Sequence, residues 1–414
     1  MHAIANKRER LGRFVDLARV YRGWTKTELS AALHRDPTKL IPQSGNPKLD
    51  LIAGIADALD WTIGDVAESV CQDLPSGDES YKGVSVAELD KRAFDAHRAG
   101  ANDLLIAIAS EMLRKASSPT ERALSLCRLY SGFENQGRYG NALKVIQQAA
   151  SEQGIPAKGR INIQANLANA HYSLWHLIES RAIATDLIET IENSKELGRM
   201  ERSMHALALY VRGNTYRRML AENEHDRAHI CQKAIRDLNR SLLEYTELAQ
   251  EYSDPRYTGV ANTCAGALME VRSAEGILCP VEAVEQLAAG LDAVIDPDAM
   301  PVGDQLESWG WWAIYGANIT LRHLEGDLMH RQMAVFTNKA IEIGERLGNW
   351  AMRERAFTLE HFRRQQADLT GVEEDPWPLD EEDIRVITGT MGRFPAFREV
   401  GWEILRNARV LEND

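Results

Sequence analysis

Cysteine is scarce in this chain of 414 residues: there are five, an odd number, far apart and without a C-x-x-C pair. This pattern excludes a disulfide framework and a zinc ribbon, so we expect reduced thiols in a cytoplasmic protein. A secretory signal is also missing, because charged residues recur before any apolar run develops. The longest uncharged stretch, residues 161–178, carries six strongly polar side chains, which excludes a lipid-facing helix and a membrane partner.

Signatures of catalysis and of metal binding are missing too. The chain has no Gly-rich phosphate loop, no nucleophile elbow and no Cys/His ligand pattern. His225 and His229 lie four residues apart, as two ligands on a zinc-binding helix do. Asp226 is shorter than the glutamate of such helices, no third ligand can be assigned, and the charged segment fits an exposed helix face. We expect no metal, no cofactor and no enzymatic activity.

The alternating pattern of β-strands is nearly absent. Apolar residues instead recur at spacings of three and four over residues 9–366, which predicts an all-α protein. The length predicts two or three domains. We place an N-terminal domain at 1–73, a linker rich in Pro, Gly and acidic residues at 74–80, a helical-repeat domain at 81–370, and an acidic loop with a capping or dimerising helix at 371–414.

Net positive charge is confined to the N-terminal edge. The net charge is −13, but residues 1–48 hold ten Lys or Arg against four Asp or Glu, a net charge of +6. That leaves 38 basic and 57 acidic residues, a net charge of −19, for the rest of the chain. Only the N-terminal edge is therefore suited to contact phosphates, while the remainder should repel nucleic acid.

Helix-capping signals are dense in the N-terminal domain. Thr25 and Glu28 form a capping box that starts a helix ending near Leu33. Asp36 before Pro37 predicts a short third helix, which Pro42 should end. A fourth helix is predicted over LDLIAGIADALD, and a fifth follows it. The N-terminal domain is thus predicted to contain five short helices.

This arrangement resembles the helix-turn-helix domain of Cro/CI (XRE) repressors. RLGRFVDLARVYRGWTKTELSAAL is similar to the first two helices of that family, and NPKLDLIAGIADALDWTIGDVAE to its last two. HRDPTKLIPQSG, where the turn and recognition helix should lie, is a few residues shorter and contains Pro42. The resemblance implies binding to a double-stranded DNA operator. Candidate DNA-binding residues are Lys26, Arg35, Thr38, Lys39, Gln43, Ser44 and Lys48.

The second domain resembles a tetratricopeptide-like solenoid of helical hairpins. One unit has the repeat's spacing of bulky residues, a turn glycine and small residues at close contacts. Later units, around 213–216 and 312–319, match only in part. The matching residues of the best unit are Leu126, Leu129, Phe133, Gly137, Tyr139, Ala142, Ile146 and Ala149.

A series of asparagines falls in the first helices of the candidate hairpins. An asparagine amide both donates and accepts, so it can pair with an extended peptide backbone without reading its sequence. Two nearby arginines could hold a peptide carboxylate. Helix capping is the alternative role for the asparagines. The candidate peptide-binding residues are Asn135, Asn169, Asn214, Asn262, Asn318, Arg212 and Arg322.

Four aromatic residues cluster in one predicted helix. Trp309 and Trp312 share a helical face, whereas Trp311 and Tyr315 lie on another. We expect them mainly to pack between hairpins, although a ligand-binding wall or a dimer contact is the alternative.

A Cro/CI-like domain joined to degenerate repeats resembles the RRNPP regulators of bacteria and phages. The resemblance implies a homodimeric transcription factor whose DNA affinity changes when a short peptide or protein segment binds in the repeat groove. The alternative is an interaction adaptor that does not bind DNA and whose solenoid holds a protein partner. The altered segment between Pro37 and Pro47 keeps this alternative open.

Overall fold

The computed structural model describes residues 2–42, 47–71, 81–194, 197–220, 226–296, 298, 300–369 and 376–410. These residues are overwhelmingly α-helical, as predicted, and their strands are limited to a parallel pair, Pro378–Leu379 with Arg409–Val410. None of the described helices is long and apolar enough to cross a membrane. The chain divides into two compact units, Met1–Lys82 and Gly83–Asp414. The predicted linker, residues 74–80, lies outside the described residues.

The first unit contains four helices in its described residues. Thr25 and Glu28 form the predicted capping box, with the Glu28 amide donating to the Thr25 hydroxyl and the Thr25 amide donating to the Glu28 carboxylate. Leu29, Leu51 and Ile55 are fully buried in the unit's own core. The helices are α1 (His2–Arg22), α2 (Lys26–Ala32), α3 (Leu49–Leu59) and α4 (Ile63–Cys71).

The predicted third helix at Asp36 is wrong: the described residues there form a turn. The Asp36 carboxylate accepts from both the amide and the hydroxyl of Thr38, and the Lys39 amide donates to the Asp36 carbonyl. This local bonding competes with a helix. Pro42 prevents the turn from extending, because it has no N–H for the Thr38 carbonyl and its ring would clash with that group. Leu40 is buried in the core of the unit.

The second unit is a succession of helical hairpins. Each helix packs against the next along the chain. The helices are α5 (Val86–Arg98), α6 (Asn102–Lys115), α7 (Pro119–Asn135), α8 (Tyr139–Ser151), α9 (Ala157–Ser173), α10 (Leu177–Glu192), α11 (Arg199–Met219), α12 (Arg227–Tyr252), α13 (Pro255–Ala274), α14 (Pro280–Gly290), α15 (Asp304–His323), α16 (Gly326–Leu347), α17 (Trp350–Leu369), α18 (Glu381–Arg393) and α19 (Arg398–Asn407).

The odd-numbered helices form a continuous inner layer. From α5 to α17, each odd-numbered helix contacts the next one, as the first helices of stacked hairpins do. The best repeat unit packs as predicted: Leu126, Ala142 and Ile146 are buried, and Gly137 has a positive φ in the α7–α8 turn. The tetratricopeptide-like architecture is thereby confirmed in the packing of the chain itself.

The last helices pack back onto an early hairpin. Tyr139 at the start of α8 shares a buried cluster with Phe357 of α17, Val386 of α18 and Ile404 of α19. The rings of Tyr139 and Phe394 lie 5.1 Å apart. The repeat series of the second unit therefore closes on itself and encloses space between its inner helices.

Candidate functional site

The lysines of the predicted DNA-binding set are exposed on the first unit. Lys26 is the first residue of α2, Lys39 lies in the turn after it, and Lys48 directly precedes α3. Gln43 and Ser44 lie outside the described residues. Among the described residues the basic candidates thus flank the connection between α2 and α3.

The two other described candidates are engaged within that connection. Arg35 Nη2 donates to both carboxylate oxygens of Asp50, at 2.8 and 2.9 Å. Thr38 bonds to Asp36 through its amide and its hydroxyl. Arg35 therefore ties the turn to the first turn of α3, and Thr38 stabilises the turn from within.

An acidic cavity of about 250 Å³ lies inside the second unit. Its described lining carries three carboxyl groups, those of Glu134, Asp304 and Glu307, against the single guanidinium of Arg218. Burial raises the pKa of Glu134 to about 7, and the neighbouring Glu307 and Asp304 add to the rise. Burial likewise raises the pKa values of Glu307 and Asp304. The cavity thus crowds three carboxyl groups into a poorly solvated space, where each further negative charge is unfavourable.

A cationic cavity of about 600 Å³ shares Arg218 and Trp311 with the acidic one. Its lining combines four arginines and two glutamates with apolar and aromatic side chains from α15, α17 and the C-terminal helices. The two cavities are therefore adjacent and opposite in charge. The arginines are Arg217, Arg218, Arg322 and Arg355, and the glutamates are Glu270 and Glu354.

Glu270 of α13 lies at the centre of the polar groups in the cationic cavity. Its side chain is only 2% exposed. Arg217 Nη1 and Asn318 Nδ2 donate to its Oε2 at 2.8 and 3.1 Å, and Arg322 Nη1 lies 3.5 Å from its Oε1. Arg217 also donates to Asn214 and lies 4.9 Å from the centre of the Tyr315 ring. Three inner helices are joined through this buried carboxylate.

Aromatic rings extend the arginine network across the repeats. Trp175 follows α9 and has a left-handed backbone, with φ +63°. The guanidinium carbons of Arg218 and Arg355 lie 4.2 and 5.1 Å from the centre of its ring. Arg218 is also 3.7 Å from the ring centre of Tyr172 and donates to its carbonyl. Cation–π contacts thus hold two of the four arginines at the cavity wall.

The predicted asparagines lie on the first helices of successive hairpins, α7 to α15, but only some face the cavities. Asn169 lines the acidic cavity and donates through Nδ2 to Tyr130 and Glu134. Asn318 lines the cationic cavity beside Glu270. The structure thus brings one of the predicted asparagines to each cavity.

The other three asparagines join structural elements. Asn214 is fully buried and bonds to the Tyr210 carbonyl and to Arg217. Asn262 donates to Ser308 at 2.8 Å, between α13 and α15. Asn135 donates to Asn102 and contacts His97 at the α5–α6 turn, along a separate surface groove.

The two predicted arginines have different surroundings. Arg212 makes a bidentate ion pair with Asp237 of α12, at 2.6 and 3.0 Å, inside its own hairpin. Arg322 lines the cationic cavity, and its side chain is 32% exposed. Arg322 is thus accessible to a ligand, whereas Arg212 holds α11 to α12.

The tryptophan cluster divides only in part as its spacing predicts, because Trp309 and Trp312 do meet but Tyr315 lies in their core and not at the cavities with Trp311. Trp309 and Trp312 meet edge to face at 4.9 Å, and Trp312 Nε1 donates to the Asn262 carbonyl. Tyr315 is buried in the same core. Trp311 donates to Glu307 and lines both cavities. The packing prediction describes the first three rings, and Trp311 belongs to the candidate site.

Sequence reasoning missed most of the charged residues in the cavities. Arg217 and Arg218 follow Asn214 closely in RGNTYRR, and Glu270 is an isolated acid within the apolar segment AGALMEV. A lone charge on an apolar helix segment is the signal that could have found Glu270, whereas RGNTYRR carries no such signal for Arg217 and Arg218. Of the histidine pair, His225 lies outside the described residues, and the described part of the chain contains no cluster of potential metal ligands.

No protein-family model matches this sequence, and no curated protein is significantly similar to it. Four chains of solved structures are significantly similar to this chain, among them two at low identity. One is Bacillus thuringiensis PlcR in complex with the peptide PapR7 and DNA, with 13% identity, a TM-score of 0.37, and coverage of 69% of this chain and 95% of that chain. The other is a Rap protein complexed with competence and sporulation factor, with 14% identity, a TM-score of 0.48, and coverage of 94% and 98%.

Proposed function

We propose that this chain is a peptide-responsive, DNA-binding transcriptional regulator that acts as a homodimer. The observation that carries the proposal is the pair of adjacent, oppositely charged cavities enclosed by the inner helices of the second unit. Enclosed cavities with a few polar groups and aromatic walls are typical ligand sites. The basic N-terminal edge, with its resemblance to Cro/CI domains, supplies the DNA-binding part.

The peptide site comprises groups from several hairpins. Asn169 and Asn318, whose Nδ2 groups donate within the protein, offer their amide oxygens to the N–H groups of a peptide backbone. Arg322 offers charge, and Trp311 offers an aromatic surface. A ligand that contacts helices from α7 to α17 favours one relative arrangement of the hairpins over others. Binding would thereby shift the population of repeat conformations, and with it the spacing of the two DNA-binding units of the dimer.

The DNA-binding proposal is tested on the exposed lysines. We expect the full-length protein to bind the DNA upstream of its own gene with an affinity that falls steeply as salt rises. The triple variant Lys26→Ala, Lys39→Ala, Lys48→Ala should weaken binding and reduce the slope of log affinity against log salt by about 1 for each of these lysines that neutralises a phosphate. Lys91→Ala, which changes an exposed lysine of the second unit, is the control and should bind as wild type.

Mobility shifts or fluorescence anisotropy across salt concentrations measure both quantities. Absence of binding at low salt would exclude the regulator. An unchanged slope in the triple variant would show that these lysines do not contact phosphate.

One observation favours the second candidate, an adaptor that does not bind DNA. The described residues between α2 and α3 form a turn where the recognition helix of a Cro/CI domain would lie. The adaptor would use the same cavities for a segment of a protein partner. Peptide binding to a chain that fails to bind its upstream DNA at any salt concentration would favour this candidate.

A further inference from the structure

The cationic cavity contains more positive than negative charge. Four arginines line it against two glutamates, so its described lining carries a net charge of +2. Both glutamates already have partners: Glu270 binds Arg217 and Asn318, and Glu354 accepts from Thr358 at 2.9 Å. An uncompensated charge in a partly desolvated space favours an anionic ligand.

The arginines differ in how strongly the protein holds them. Arg217 is buried and bonded to Glu270 and Asn214, and Arg218 is held between two aromatic rings. Arg322, by contrast, is held more weakly. Its Nη1 lies 3.5 Å from Glu270 Oε1, an oxygen that accepts no hydrogen bond, and its side chain remains 32% exposed. Arg355 is positioned by the ring of Trp175. Arg322 and Arg355 are therefore the two guanidinium groups suited to receive a carboxylate.

An apolar wall adjoins these two arginines. Ile314 and Leu321 of α15, Leu359 and Phe362 of α17, and Val400 of α19 line the same cavity. Phe362 is 42% exposed, so its ring remains available for contact. A group that combines a carboxylate with an apolar side chain matches this lining, and the last residue of a peptide is such a group.

The neighbouring cavity would repel the same group. Among the described residues, its lining holds Glu134, Asp304 and Glu307 with only Arg218 as a cation. A carboxylate gains Coulomb energy in the cationic cavity and loses it in the acidic one. Because the two cavities share Arg218 and Trp311, this difference sets the direction of a peptide that spans both.

We propose that the cationic cavity holds the terminal carboxylate of the peptide on Arg322 and Arg355, with its apolar last side chain against α15 and α17. The residues before it run toward α7 and α9. This inference rests on the proposed peptide-binding function and adds to it the direction of binding and the chemistry of the terminal residue.

The test uses two synthetic pools of heptapeptides that end in leucine, one with a free carboxylate and one with a C-terminal amide. Full-length protein is incubated with each pool, and the retained peptides are quantified by mass spectrometry. We expect retention of the free-acid pool to exceed that of the amide pool about tenfold, since a neutral amide cannot accept a charge-assisted bidentate hydrogen bond from arginine. In the double variant Arg322→Gln, Arg355→Gln, the two pools should be retained equally.

Two further variants test the role of arginine geometry and provide a control. Arg322→Lys, which keeps the charge but removes the planar fork, should retain part of the preference. Arg331→Gln alters an exposed arginine of α16 and should behave as wild type. Equal retention of both pools by the wild type would overturn the inference while leaving peptide binding intact, and so would a free-acid preference that persists in the double variant. Retention of neither pool would overturn the inference and the proposed peptide function together.

Discussion

Arg212 and Arg217 are both nearly buried on α11 but have different roles because they point in different directions. Five residues on a helix correspond to about 140° of rotation, so the two side chains leave opposite sides of α11. Arg212 meets Asp237 of α12 within the hairpin, while Arg217 meets Glu270 of α13 at the cationic cavity. At the scale of single residues, the direction of a side chain separates a structural ion pair from a candidate binding group.

Replacing Arg212 tests its structural role. Arg212→Ala leaves the Asp237 carboxylate, which is 0% exposed, without its bidentate partner. We expect the free energy of unfolding to fall by about 3–5 kcal/mol, the usual cost of breaking a buried pair from one side. Arg236→Ala is the matched control, because Arg236 contacts the same carboxylate from a side chain that is 59% exposed. This variant should lower the free energy of unfolding by about 1 kcal/mol or less.

Urea unfolding followed by circular dichroism measures both variants. A small decrease for Arg212→Ala, together with weaker peptide binding, would instead support a direct role for Arg212 in the ligand site.

At the scale of elements, Gly137 in the α7–α8 turn is constrained twice, by its own backbone conformation and by the packing of α17 against it. Gly137 has φ +67°, which favours glycine in the turn between the two helices. A Cβ on Gly137 would also overlap the ring of Trp350, the first residue of α17. That ring lies 3.7 Å from the guanidinium carbon of Arg393 in α18. The turn therefore serves both its own hairpin and the closure of the repeat series.

Gly137→Ala should lower the free energy of unfolding by more than the replacement of a turn glycine that contacts no other helix. Left-handed backbone and overlap with Trp350 together predict a decrease of about 2–4 kcal/mol in the free energy of unfolding. Gly140→Ala, three residues later in α8, is the control, since a Cβ there meets nothing within 4 Å. It should leave stability unchanged or raise it by up to about 1 kcal/mol. Equal decreases in the two variants, measured by thermal or urea unfolding, would contradict the proposed contact.

At the scale of the whole molecule, closure of the repeats creates the electrostatics of the candidate site. Glu134 lies at the end of α7 and Glu307 in the first turn of α15, far apart in sequence, yet both line the acidic cavity. Burial and the proximity of these carboxylates raise the pKa of Glu134 from its ordinary value of 4.5 to about 7. The same closure brings the cationic cavity beside the acidic one.

The raised pKa predicts a specific pH dependence of stability. Between about pH 4.5 and 7 the folded protein binds more protons at Glu134 than the unfolded chain does, so this residue lowers stability as pH rises through that window. Above about pH 7 Glu134 is ionised in both states, and the loss of stability that it causes is complete. Glu134→Gln removes it and should raise the free energy of unfolding, relative to wild type, by about 2–3 kcal/mol more at pH 8 than at pH 4.5.

Glu399→Gln, an exposed carboxylate of α19, is the control and should leave the pH profile unchanged. Urea unfolding at several pH values measures the profiles. Parallel profiles for Glu134→Gln and wild type would contradict the raised pKa.

Much of the fold was predictable because its signals are local. The capping box at Thr25, the all-α class and the packing of the best repeat unit follow from helix periodicity, caps and small residues at fixed spacings. The prediction of a third helix at Asp36 was wrong because hydrogen bonds of the Asp36 side chain stabilise a turn and Pro42 prevents a helix from continuing.

The sequence by itself determined the helical class, the location of positive charge and the placement of the asparagines on inner helices. Only the tertiary structure decided which of those residues share a cavity. Asn169 and Asn318 line ligand-sized cavities, while Asn214 and Arg212 line neither cavity and only join helices or neighbouring side chains. The physical reason is that helix periodicity depends on neighbours three or four residues away, whereas a cavity depends on how distant hairpins stack. Ion pairs between the stacked helices then determine which arginines remain available to a ligand.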